Sequence, residues 1–184
     1  GGSDGKALHV LVTEDIADLA QYGIGVANNG GGTDGQEYTF PTAAPTAGQH
    51  ILVVRSVAAM DAYMNASSIF DHVFVDEGGS ISQNGDDAIE LYFLGGVVEL
   101  FGDVDVDGTG EDWEYLDSWA YKVNGEWTYG GVNCTDGSTT TCDSGCPYPF
   151  ADCTGDDLGA YLSAEGGWRY QYEVAGYRGV GPGD

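Results

Sequence analysis

The stretch Ile89–Phe101, IELYFLGGVVELF, carries the clearest fold signal in the chain. Two β-type runs, IELYFL and VVELF, flank the pair Gly95-Gly96. Two-residue hairpin turns need positive φ, which glycine supplies without steric cost, so the stretch predicts an antiparallel hairpin with its turn at those glycines. On both sides of it, short runs of the same kind recur between clusters of turn residues. They are Ala7–Val12, Tyr22–Ala27, Glu37–Phe40, His50–Val54, His72–Val75, Ser118–Val123 and Trp168–Val174, beside Ala88–Phe93 and Val97–Phe101 as the strands of the hairpin itself. Recurrent short strands with turn signals predict an antiparallel sandwich or barrel. One helix is expected, over Val57–Asn65, with Ser56 as its N-cap and Met60, Tyr63 and Met64 on one side as core packing.

Directly after the hairpin comes Phe101–Tyr115, FGDVDVDGTGEDWEY. Asp103, Asp105, Asp107, Gly108 and Glu114 fall on the spacing D-x-D-x-D-G-x5-E, the oxygen-ligand pattern of a calcium loop. In this reading Asp103, Asp105, Asp107 and Glu114 are side-chain ligands. Thr109 offers its carbonyl, Glu111 binds directly or through water, and Gly108 makes the sharp turn. Gly110 stands at the usually apolar eighth position and the flanks read as strand, so this is a calcium loop in a β setting. The alternative is a solvated acidic turn. Two neighbouring stretches bear on the loop. Gln83–Asp87, QNGDD, is expected to turn the chain and cap backbone amides, with a second cation site as the other reading. Asn28–Gly35, NNGGGTDG, reads as a flexible connection; it lacks the helix and Lys that a phosphate cradle needs.

The chain has 184 residues with 42% apolar content, enough for one domain with a core and an extension. Thirty acids against five bases give a net charge of −25. Such a surface repels phosphate backbones and anionic membranes, so nucleic acid is not an expected partner. No run approaches the ~20 apolar residues of a membrane span. The start, Gly1-Gly2-Ser3-Asp4, reads as processed or excerpted.

Cys134, Cys142, Cys146 and Cys153 crowd into one segment without the C-x2-C pairs that zinc prefers. They read as two disulfides, with three connectivities open. Asn65-Ala66-Ser67 and Asn133-Cys134-Thr135 are N-glycosylation sequons, placing candidate glycans on Asn65 and Asn133. Cysteines and sequons together indicate an extracellular, secreted or cell-surface protein. The organisation expected is a β-sandwich over 1–130, a disulfide-stapled segment over 131–157, and a strand with a Gly-rich tail over 158–184. In that tail Trp168, Tyr170, Tyr172 and Val174 share one face and Arg169, Gln171 and Glu173 the other.

With these residues in view, the sequence resembles the lamin-tail domain family in its microbial and marine extracellular branch. The stretches that carry the resemblance are YGIGVANNGGGTDGQEYTFP (Tyr22–Pro41), NGDDAIELYF (Asn84–Phe93) and VVELFGDVDVDGTGEDWEYLDSWAYK (Val97–Lys122), within roughly residues 5–130. The opening KALHVLV departs from the family's usual Glu-Asn-rich beginning. The resemblance implies an immunoglobulin-like β-sandwich and a module without catalytic residues of its own.

His9, His50 and His72 are the histidines, and His9 and His50 sit in apolar runs where a hydrogen-bonded core histidine is expected. Neither G-x-S-x-G nor H-E-x-x-H occurs. The expectation is therefore a non-catalytic, calcium-stabilised structural subunit of a secreted filament or surface assembly. It would self-associate by adding the strand bearing Trp168, Tyr170, Tyr172 and Val174 to a neighbour's open sheet edge. The alternatives are a calcium-dependent adhesion module for a glycan or extracellular protein, and an accessory domain of a secreted nuclease.

Overall fold

The computed structural model describes residues 3–153. Strands dominate, in the order β1 (Ala7–Leu11), β2 (Tyr22–Ala27), β3 (Tyr38–Thr39), β4 (His50–Val54), β5 (His72–Val75), β6 (Ala88–Phe93), β7 (Gly96–Phe101), β8 (Ala120–Val123) and β9 (Glu126–Tyr129). Helices α1 (Val57–Met64) and α2 (Ala66–Ile69) lie between β4 and β5. Three sheets result: β1-β4-β5, β3-β2-β6-β7 and the hairpin β8-β9.

All pairings are antiparallel except one. β4 and β5 run parallel, with Ile51 opposite His72 and Val54 opposite Val75. This corrects the expectation of a purely antiparallel protein. A parallel neighbour requires a crossover of a dozen residues or more, and the helices between the two apolar runs supply it. α1 starts where Ser56 Oγ accepts from the Ala59 amide, and Asn65 closes it in the left-handed region at φ 55°. The helix α2 was not anticipated.

The expected β6–β7 hairpin is present, but its turn is displaced by one residue. Phe93 pairs with Gly96, so the two turn residues are Leu94 and Gly95, at φ 50° and 80°. Gly96 belongs to β7. A β-bulge between Leu91 and Tyr92 shifts the later register. A second hairpin, β8–β9, turns on Asn124 and Gly125 at φ 51° and 84°. Its second strand escaped the reading of the sequence, although Asn-Gly is a leading hairpin signal.

Two apolar clusters hold the elements together. In the first, Ile51 and Val53 of β4 meet Ile24 of β2, Tyr38 of β3, and Phe40, Leu19, Val12 and Ile81; Leu8, Val10, Ile89 and Leu91 pack on its margin. The two larger sheets thus share one core. Ile51 and Val53 are 0% exposed, and each such side chain stabilises by about 1.5–3 kcal/mol relative to exposure. The second cluster lies under the helices, where Leu52 and Val54 meet Met60, Met64, Ala66, Phe70 and Ala151. Tyr148 and Phe150 join it. The cysteine-rich segment therefore adds aromatic burial to this core as well as disulfide constraint.

Candidate functional site

The acidic loop leaves β7 and is organised by its own carboxylates. Asp103 Oδ1 accepts from the Asp105 amide at 3.0 Å, and Asp107 Oδ1 from the Thr109 amide at 3.0 Å. Glu114 reaches back to the Gly110 amide at 2.8 Å. The Thr109 hydroxyl donates to Asp86 Oδ2 at 3.0 Å. The hydrogen bonds from Thr109, backbone first, hold the Asp107 carboxyl below its usual range. Asp105 and Glu111 lie exposed on the loop. Among the described residues no three carboxylate, imidazole or thiol groups gather into a set able to hold a metal ion. In this arrangement the carboxylates of Asp103, Asp107 and Glu114 each accept a backbone amide hydrogen bond.

Neighbouring segments fix the loop from both sides. The Gly108 amide donates to the Asp86 carbonyl at 2.9 Å, and the Tyr115 amide to the Gly85 carbonyl at 2.7 Å. Asp87 is 1% exposed and accepts from the Asn29 amide at 2.8 Å and the Asn84 amide at 2.9 Å. Burial raises its pKa against those bonds. Asn28–Gly35 is seated on the acidic loop: the Gly32 amide donates to the Val104 carbonyl at 2.9 Å, and a Cβ on Gly30 would lie 2.4 Å from the Asp107 nitrogen. Its glycines permit close backbone approach. Gly108 serves the same purpose. Its φ is not positive, but a Cβ there would meet the Trp113 ring at 2.5 Å and the Asp86 carbonyl at 2.7 Å.

His9 of β1 and His50 of β4 form a hydrogen-bonded chain with Tyr148, whereas His72 of β5 stands apart, stacked on Phe74. His9 Nε2 lies 2.8 Å from His50 Nδ1, and His9 Nδ1 lies 2.9 Å from the Tyr148 hydroxyl. Phe70 meets the His9 ring edge-on at 4.9 Å, and Phe150 lies 5.0 Å away. Burial, then the nearby His50, pushes the His9 pKa down to about 3. His50 moves down too, through burial, against the pull of Asp71.

A cleft of about 970 Å³ runs between β1 and β8. Leu8, Val10, Ile89, Leu91, Phe101 and Trp127 supply much of its apolar wall. It was not foreseen, because its walls come from strands far apart in the chain. Neither β1 nor β8 has a strand on its second edge among the described residues. Two buried polar atoms without a hydrogen-bond partner among the described residues, Gln83 Oε1 and Tyr121 Oη, belong to residues that line it.

The cysteines pair as Cys134–Cys146 and Cys142–Cys153, an interleaved connectivity. Disulfides of this kind persist in oxidising compartments. No described helix is long and apolar enough to cross a membrane. Of the sequon residues, Asn133 is exposed at φ 61°, whereas Asn65 is partly buried and its side chain accepts from Ser68. Trp168, Tyr170, Tyr172 and Val174 lie outside the described residues. No family model, curated protein or solved structure matches the chain.

Proposed function

We propose that the chain is a non-catalytic structural module of the extracellular space, a subunit of a secreted filament or surface assembly. The observation that supports this most is β7. It is the edge strand of the four-stranded sheet, yet Val97, Val98 and Leu100 are 48%, 56% and 43% exposed, and Leu94 in its turn is 70% exposed. Edge strands are ordinarily protected by charge, proline or cover; β7 has one such charge, Glu99 paired with Lys122, while Val98 and Leu100 share the opposite face as neighbouring exposed apolar side chains, the kind of exposure that marks an interaction surface. In a chain of net charge −25, such an edge is better suited to a protein partner than to solvent.

On this reading the two larger sheets form an immunoglobulin-like sandwich of the lamin-tail kind, and association proceeds by strand addition using Trp168, Tyr170, Tyr172 and Val174. Head-to-tail contacts of that type do not close and so extend into fibres. Calcium enters through the spacing of Asp103, Asp105, Asp107, Thr109, Glu111 and Glu114, and through the relief it would bring to local charge repulsion. Electron microscopy of the native protein in calcium and then in chelator is the test. Regular filaments or arrays are expected, shortened or lost in chelator; single particles in both conditions would overturn the structural role.

A further inference from the structure

We infer that the cleft between β1 and β8 is the seat of an inserted strand, and that the strand is Trp168–Val174 of a second copy of this chain. The inference rests on the assembly reading above and places the inserted strand at a seat other than the β7 edge.

Hydrogen-bond parity shows which backbone groups face away from the neighbouring strand. The Val12 amide donates to the Gln49 carbonyl at 2.9 Å, and the Arg55 amide to the Lys6 carbonyl at 3.1 Å. With the one-to-one register of β1 and β4, the even-numbered residues of β1 bond to β4. The backbone N–H and C=O groups of Ala7, His9 and Leu11 therefore point away from it. The Ala7 carbonyl takes the Gln83 side chain at 3.3 Å. On the far wall, the Gly130 amide donates to the Trp119 carbonyl at 3.0 Å. The register of β8 with β9 then turns the backbone groups of Ala120 and Lys122 outward. Two strand edges thus border one cleft. One strand between them would join β5-β4-β1 to β8-β9 as a continuous sheet.

The side chains agree with a strand in that place. Leu8, Val10, Ile89 and Leu91 are only partly buried at the margin of the core, so a row of apolar side chains from an alternating strand would complete their cover. Trp168, Tyr170, Tyr172 and Val174 are such a row. The charges that line the cleft nearly balance, Lys6 and Lys122 against Glu90, Glu99 and Asp117, which suits a segment of small net charge; Trp168–Val174 carries Arg169 against Glu173. Residues 154–167 follow Cys153 before the segment begins. Fully extended they span up to about 50 Å, enough to leave one copy and enter the next.

The test uses the full chain with Tyr170 replaced by the photo-cross-linker p-benzoylphenylalanine, a change outside the described core. Chains labelled with light and heavy nitrogen are mixed equally, assembled in calcium, sedimented, irradiated and mapped by mass spectrometry. The expected result is mixed light–heavy peptides joining residue 170 to 6–13 or 117–127. Mixed peptides joining it to β7 or elsewhere would overturn the cleft as the seat while leaving the assembly intact. Same-isotope peptides alone would show the chain's own tail in the cleft and overturn the second copy. A sample that does not sediment would overturn the assembly reading itself, and this inference with it.

Discussion

His9 sits where a proton is unwelcome. Its two ring nitrogens are committed to His50 and Tyr148, and Phe70 and Phe150 crowd the ring. An unfolded histidine takes its proton near 6.5, whereas His9 in the fold does so only near 3. The unfolded state binds more protons between those values. The stabilisation is complete above about pH 6.5 and is lost as pH falls toward 3, by at most about 1.4 kcal/mol per pH unit for one site. The groups facing the pair are Tyr148, Tyr121 and Asp71. Melting temperature should therefore fall between pH 6.5 and 5, before most carboxylates titrate, and His9→Gln should flatten the slope. A flat wild-type profile would contradict this. Gly108 supports a second expectation: Gly108→Ala must displace the Trp113 ring or the Asp86 carbonyl and should cost about 1–3 kcal/mol in a denaturant melt. The sequence pointed to Gly108 as the start of a sharp turn that a side chain would block, and the Glu111 amide does close a turn on its carbonyl. What blocks the side chain is Trp113 and Asp86, which spacing within the loop does not reveal.

Among the elements, the local ones were legible. β2, β4, β5 and β6 fall on the expected residues, and α1 begins at its Ser56 cap, because side-chain pattern and capping act over a few residues. What depends on distant partners was less legible. The parallel placement of β5 beside β4 follows from the crossover, not from either strand's composition. β9, EWTY, was within reach, since Asn124-Gly125 is a hairpin signal and Trp, Thr and Tyr favour strands. The β6–β7 turn shows a local conflict, since Leu94 holds φ 50° where asparagine or glycine is at ease. A left-handed conformation costs an ordinary residue about 1–2 kcal/mol. Leu94→Asn should accordingly raise stability by about 1 kcal/mol while removing an exposed apolar side chain. A loss of stability in chemical denaturation would mean that the leucine is anchored by a contact.

For the whole molecule, charge and topology dominate. A net charge of −25 opposes compaction, so melting temperature should rise with sodium chloride as the Debye length falls from about 30 Å at 0.01 M to about 8 Å at 0.15 M. At matched ionic strength, calcium should raise it beyond that and chelator should lower it; identical melting curves with and without calcium would remove calcium from the account. The candidate loop was legible as a run of carboxylates at meaningful spacing. The cleft was not, since β1 and β8 lie at opposite ends of the described chain. That same arrangement governs how the protein comes into being. A chain made from its N-terminus holds β2 with only the two-residue β3 beside it through the whole of β4 and its crossover, until β6 emerges to cover its other edge. Pairings of such long range make folding slow. The order of synthesis therefore leaves the sheet's central strand waiting, and the segment that carries both disulfides arrives only after the sheets have what they need to close.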